Sequence, residues 1–113
     1  MSEHPLPNRE LAELASLLGE ENVRLLVRTF LQEYPVLLRE LETGDRRTQQ
    51  RVAHSLKSNT RVVGARELSS RLAVLEERLA RDDKSGLSRD EVAAIAAELE
   101  SVAVPLRAFA SPP

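Results

Sequence analysis

His54 lies in the stretch RVAHSLKSNTRVVGA, residues 51–65, with Lys57 three positions on and Ser58 four. On a helix those three side chains share one face. An imidazole has an ordinary pKa near ~6.5, so near neutral pH it serves as a nucleophile or a proton acceptor. A lysine one turn away can offset negative charge that develops beside the ring. Stepping about 100° per residue from His54 collects Arg47, Gln50, Arg51, Lys57, Ser58 and Arg61 on its face, and sends Val52, Leu56, Asn59 and Val63 to the other side. The face of this segment holds four cations and no acid, on a chain whose net charge is −2. Such a face suits an anion, but solvated helix faces also carry Arg and Lys, and spacing alone leaves both readings open.

Other chemistries find less support. A metal site would need more ligands than two histidines supply, because His4 lies in a proline-flanked N-terminal segment and no carboxylate stands at ligand spacing from His54. Acid–base catalysis would need pocket-forming loops or a Gly-rich phosphate cradle, and the sequence offers neither. Without cysteine there is no disulfide, thiolate site or cysteine nucleophile, a composition that fits the cytoplasm. The net charge of −2 argues against general affinity for nucleic acid. No export signal and no apolar run of roughly 20 residues appears, so membrane insertion is not expected.

The elements that position His54 follow from apolar spacing. A chain of 113 residues with 42% hydrophobic but only 3% aromatic residues is expected to form one domain around an aliphatic core. Five helical segments are predicted, over about 8–18, 21–42, 45–63, 65–81 and 88–109. Gly19, Gly44 and Gly64 punctuate them, and Asp45 and the Ser88/Glu91 pair supply N-terminal caps. Pro35 falls inside the second segment, which reads as one bent helix, and Pro105 should distort the last turns of the fifth. The buried stripes are expected to be Val23, Leu26, Phe30, Tyr34, Leu37 and Leu41; then Leu68, Leu72, Leu75 and Leu79; then Val92, Ile95, Leu99, Val102, Leu106 and Phe109. The "RDDKSG" stretch is expected to be a loop. The fold class is therefore all-α, an antiparallel up-and-down four-helix bundle with a short additional N-terminal helix. Residues 1–7 are expected to form a flexible arm, 8–110 the bundle and 111–113 a tail.

One further position follows from that topology. If the chain reverses at Gly64–Ala65, antiparallel helices bring together residues whose numbers sum to about 130, which places Glu76 beside His54, with Glu77 and Glu67 as alternatives.

The stretch AHSLKSNTRVVGA resembles the signature of histidine-containing phosphotransfer domains: His, any residue, Leu, Lys, Gly or Ser, then Gly ten positions after the His. His54, Leu56, Lys57, Ser58, Gly64 and Ala65 fall in place, and LVRTFLQEYPVLLRELETGD resembles the helix that precedes the active helix in that family. The resemblance spans about residues 17–81. It implies a phosphocarrier that takes a phosphoryl group on Nε2 of His54 from the aspartate of one receiver domain and passes it to another. It also implies that Lys57 offsets phosphoryl charge, that Ser58 stays small for docking, and that Gly64 allows the third and fourth helices to approach. In that family a Gln or Glu at the position of Glu76 accepts the Nδ1–H. Gln50, Arg51, Arg61 and Gly64 would belong to the docking surface. No cofactor is implied for this chain, since Mg²⁺ resides on the receiver; the expected carrier is monomeric, without ATP-binding or kinase segments. Arg61 departs from the pattern, where a small residue is more usual, and either crowds docking or engages phosphate or partner. A docking or adaptor bundle that is never phosphorylated, and the phosphoacceptor domain of a larger hybrid or chemotaxis-type kinase, are the alternative functions.

Overall fold

Helix starts are set by short polar side chains that satisfy the free N–H groups of a first turn. In the computed structural model, which describes residues 6–81 and 85–111, Asn8 Oδ1 accepts the Leu11 N–H at 2.9 Å and opens α1 (Arg9–Leu18). Gly19, at φ +90°, turns the chain directly into α2 (Glu20–Thr43). Asp45 Oδ1 accepts the Thr48 N–H at 2.9 Å at the head of α3 (Arg46–Val62), and this bond holds the Asp45 carboxyl below its ordinary range. After the turn at Gly64 comes α4 (Arg66–Ala80). Ser88 and Glu91 then form a reciprocal capping box on α5 (Arg89–Ala110).

The described residues are helical and contain no strand. Both internal prolines sit on exposed positions of continuous helices. Pro105 does not end its helix: α5 runs on to Ala110, and the Ser111 N–H still reaches the Arg107 carbonyl at 3.0 Å. A missing N–H on the solvent side leaves its orphaned carbonyl to water, so the helix need not stop.

Burial follows the predicted stripes with three shifts. On α2, Val27 is fully buried while Leu26 and Leu37 are only partly so. On α5, Ala103 takes the central position and Val102 the flank. On α4, Ser69 is buried and Leu75 lies at the edge. Each shift has one cause: a helix touching two neighbours buries the residues between them, and a small side chain is favoured where backbones come close.

Long-range hydrogen bonds pair the helices in opposite sense of numbering. Between α3 and α4, Ser69 Oγ donates to the Lys57 carbonyl at 2.9 Å, and Arg46 Nη1 to the Leu79 carbonyl at 2.5 Å. Between α2 and α5, Arg24 Nε donates to the Phe109 carbonyl at 3.3 Å and Tyr34 Oη to Glu100 Oε1 at 3.3 Å; Arg24, with Arg28 Nε on the Ala110 carbonyl at 3.2 Å, places positive charge on the negative end of α5. Ion pairs Arg71–Glu98 and Arg78–Glu91 join α4 to α5. Buried Gln49 ties three segments: its Nε2 donates to the Leu41 carbonyl at 3.1 Å and its Oε1 accepts the Leu87 N–H at 2.9 Å.

At the other end, α1 packs on α2 through the fully buried Leu11, and Asn8 Nδ2 donates to the Val63 carbonyl at 2.8 Å. Residues 1–5 of the expected arm, 82–84 of the expected loop and 112–113 of the expected tail lie outside the described residues. Leu6, just ahead of α1, is partly buried against the core.

Replacing Gln49 with Leu should leave the Leu41 carbonyl and Leu87 N–H without partners in a buried site. A loss of about 1–3 kcal/mol in urea unfolding is the expected outcome.

Candidate functional site

One side of α3 is committed to the core, and the other side is therefore presented outward. Val52, Ala53 and Leu56 are fully buried, whereas the His54 side chain is 61% exposed. Glu76 reaches it from α4: Oε2 stands 2.7 Å from His54 Nδ1, and Oε1 stands 2.7 Å from Lys57 Nζ. Each carboxylate oxygen thus has its own partner. The register needed for this is held from both sides, by the Ser69 bond to the Lys57 carbonyl and the Arg46 bond to the Leu79 carbonyl.

Those contacts hold the Glu76 carboxyl below its ordinary 4.5, the Lys57 hydrogen bond most strongly and then that of His54, against partial burial. An ionised carboxylate only accepts. A neutral His54 ring therefore carries its proton on Nδ1, directed at Glu76, and leaves the Nε2 lone pair facing solvent. That is the arrangement of an exposed nitrogen nucleophile with a fixed tautomer.

The surroundings differ on the two flanks. Toward α2 lies a groove of about 510 Å³, where Val36 and Leu37 face Ser55, Ser58 and Asn59 beside the ring. It continues into a second groove of about 290 Å³ along Leu26, Phe30 and Val62. Exposed Leu25, Val36 and Val62 give this side an apolar character. Toward α4, Lys57 opens a groove shared with Arg61 and Arg66. At the N-terminal side of the ring, Gln50 and Arg51 share a depression with His54, and Arg51 Nη2 pairs with Glu40 at 3.2 Å.

Two sequence readings need correction, and a third gains a structural reason. Asn59 is not cut off from His54 on the opposite side; it lines the α2-side groove with it. The face is less cationic than α3 alone suggests, since Glu40 and Glu76 from neighbouring helices take up Arg51 and Lys57. Gly64 does not touch His54. It sits ten residues further along, roughly 15 Å on a helical rise, at φ +85°, where a Cβ would run into the Asn8 side chain. Its glycine is required by that left-handed turn and by α1.

Which residues of α2 stand beside His54 was not read from the sequence. The signal was available: the pairs Arg51–Glu40 and Gln49–Leu41 have numbers summing to about 90, a reversal about Gly44–Asp45 that brings residues 36 and 37 to His54. Among the described residues no group of His, Asp or Glu is placed to hold a metal ion, and no helix is long and apolar enough to cross a membrane.

A family model described as the Hpt domain matches residues 25–104 of the chain. The chain belongs to the Hpt domain family. Membership makes it a phosphotransfer protein of two-component phosphorelays, a carrier rather than a kinase or ATPase, and one that interacts with receiver domains. The matched span of this Hpt domain runs from α2 into α5 and leaves α1 outside. No curated protein and no solved structure matches the chain.

A carboxyl held below 4.5 adds stability above that pH and loses it as pH falls through its folded-state value. Glu76→Gln is therefore expected to cost up to about 1 kcal/mol near neutral pH, and the gap from wild type should close as urea unfolding is repeated at progressively lower pH beneath 4.5.

Proposed function

We propose that His54 is the phosphoryl-carrying residue of a multistep relay, and that α2 to α5 form an up-and-down antiparallel four-helix bundle whose purpose is to hold that ring against Glu76. The observation that carries this reading is the 2.7 Å contact between His54 Nδ1 and Glu76 Oε2 on an otherwise exposed ring. The opposite-sense pairings of α3 with α4 and of α2 with α5 support the bundle.

In the forward step the Nε2 lone pair attacks the phosphorus of a receiver's aspartyl phosphate. The Nε2–P bond forms, the P–O bond to aspartate breaks, and the aspartate leaves as a carboxylate. No proton moves at Nε2. The ring keeps its proton on Nδ1 and so becomes formally cationic, which an adjacent carboxylate stabilises. Donation to a second receiver runs the same bonds in reverse onto another aspartate. Any Mg²⁺ that assists either step belongs to the receiver, and this chain supplies no cofactor.

Lys57 and Ser58 contribute differently. Lys57 is paired with Glu76 in the resting protein and is one turn from the ring, close enough to exchange that partner for phosphoryl oxygens. Ser58 is exposed and small, and lines the groove beside the ring, so a partner's acidic pocket closes over His54 without obstruction. The apolar groove toward α2 supplies packing, with Gln50 and Arg51 at its far margin.

Incubation with a phosphorylated receiver domain, followed by detection of acid-labile phosphate, tests the reading. His54→Gln should abolish labelling and leave the helical circular dichroism signal unchanged; retained labelling would remove the assignment. A separate prediction concerns the resting pair: Lys57→Ala should slow transfer by about tenfold or more while altering urea stability by less than about 1 kcal/mol. Equal transfer rates in stopped-flow would remove the role of Lys57.

A further inference from the structure

The apolar stripe that α2 turns toward α3 has one break in it. Leu26, Phe30, Glu33 and Leu37 follow one another at spacings of four, three and four, so they share a face of the helix. Three are apolar and the other is a glutamate. Glu33 lines both grooves on this side of His54, the one of about 510 Å³ that includes the ring and the one of about 290 Å³ beyond it. Apart from His54, it is the one titratable side chain lining either groove.

Its carboxylate is also unpartnered. Other helix-surface glutamates meet a cation on their own helix, as Glu13 meets Arg9 and Glu77 meets Arg81. The positions three and four residues from Glu33 are Thr29, Phe30, Val36 and Leu37, and none carries a charge. Glu33 is exposed, and among the described residues its carboxylate has neither an ion pair nor a hydrogen bond.

The groove that holds Glu33 also holds the ring, so a partner that reaches Nε2 and packs on the α2 side covers the carboxylate. Covering an ionised group with apolar surface strips its water and returns nothing. The same charge opposes the approach of an anionic phosphoryl group unless something neutralises it. Both costs disappear for one kind of partner surface, an apolar one with a cation set into it. An anionic group on the partner is better served on the α4 side of the ring, where the exposed Arg47 and Arg61 form no ion pair among the described residues.

We propose that Glu33 is a specificity residue, which pairs with a Lys or Arg on the receiver surface that covers the α2–α3 groove and rejects receivers whose matching surface is uncharged or acidic. The proposal rests on the phosphocarrier reading above. Discrimination comes from the penalty as much as from the attraction: a partner lacking the cation buries a bare carboxylate, and one with an acid there adds like-charge repulsion.

The test uses phosphoramidate, a small donor that needs no docking, and a purified receiver domain selected for binding the wild-type chain. Glu33→Lys should raise the Kd for the receiver by about three- to tenfold, and lower the ratio of receiver-dependent to phosphoramidate-dependent labelling by a similar factor. Glu33→Gln should shift both in the same direction by a smaller factor. Among receiver variants with single Lys or Arg residues changed to Glu, one should bind the Glu33→Lys chain more tightly than it binds wild type. The sign of the effect decides. A merely solvated glutamate would leave the Kd unchanged, or, by repelling the acyl phosphate, would make Glu33→Lys the faster acceptor. Either result would overturn the proposal, as would an equal loss with both donors or the failure of every receiver variant to restore binding. If neither donor labels the wild-type chain while binding still responds to Glu33 and is restored by a receiver charge swap, the carrier reading falls and the docking contact stands.

Discussion

A carboxylate shared by two donors on a facing helix permits almost no slippage between the helices. Glu76 spends one oxygen on His54 and one on Lys57, each at 2.7 Å, and a shift of a single residue along either axis moves partners by about 1.5 Å, enough to break both bonds. The tight turn at Gly64, the Ser69 hydroxyl on the Lys57 carbonyl and the Arg46 guanidinium on the end of α4 all restrict the same motion. Much of the polar structure between α3 and α4 serves to keep one carboxylate still.

The other helices make that restriction affordable by supplying the apolar core on which α3 rests. Phe30 and Tyr34 of α2 stack with ring centroids 5.4 Å apart beneath it, and Leu99, Ala103 and Leu106 of α5 close the interior. The short α1 has a more specific part. Its first residue outside the helix, Asn8, caps α1 with one side-chain atom and holds the carbonyl of Val63, the residue that ends α3, with another. Any side chain at position 64 would displace it, so a helix beyond the matched family span is linked to the turn that sets the α3–α4 register.

The helices were legible in the sequence because capping is local chemistry: Asp45 and the Ser88/Glu91 pair announce helix starts within three residues, and leucine spacing marks the stripes. Glu76 was legible because one turn fixes the register of a hairpin of helices. Gln49, Asn8 and Asn59 were not. Each is a polar residue whose value depends on a carbonyl, an N–H or a groove supplied by a segment distant in sequence, and nothing in its own neighbourhood marks it. The α2 side of the site was hidden for the same reason, although a second reversal, about Gly44–Asp45, pointed to it. Ala103 was overlooked because hydrophobic periodicity weights large residues, while close approach of backbones selects small ones.

The α3 charges nearest His54 are paired in the resting protein. Glu76 neutralises Lys57 and holds the Nδ1 proton, and Glu40 occupies Arg51. On the proposed chemistry a phosphoryl group adds negative charge at Nε2 and makes the ring formally cationic. Lys57 then transfers from carboxylate to phosphoryl, and the ring replaces Lys57 as the cation facing Glu76. Glu76 and Lys57 each keep an oppositely charged partner at both stages. The exchange requires a lysine that is bound but still 31% exposed, and a carboxylate whose two oxygens have separate partners, so that one can be released while the other is kept. A carboxylate committed to the ring alone would leave Lys57 free to wander in the resting state. One committed to Lys57 alone would leave the tautomer unfixed. Glu76 avoids both by standing between them.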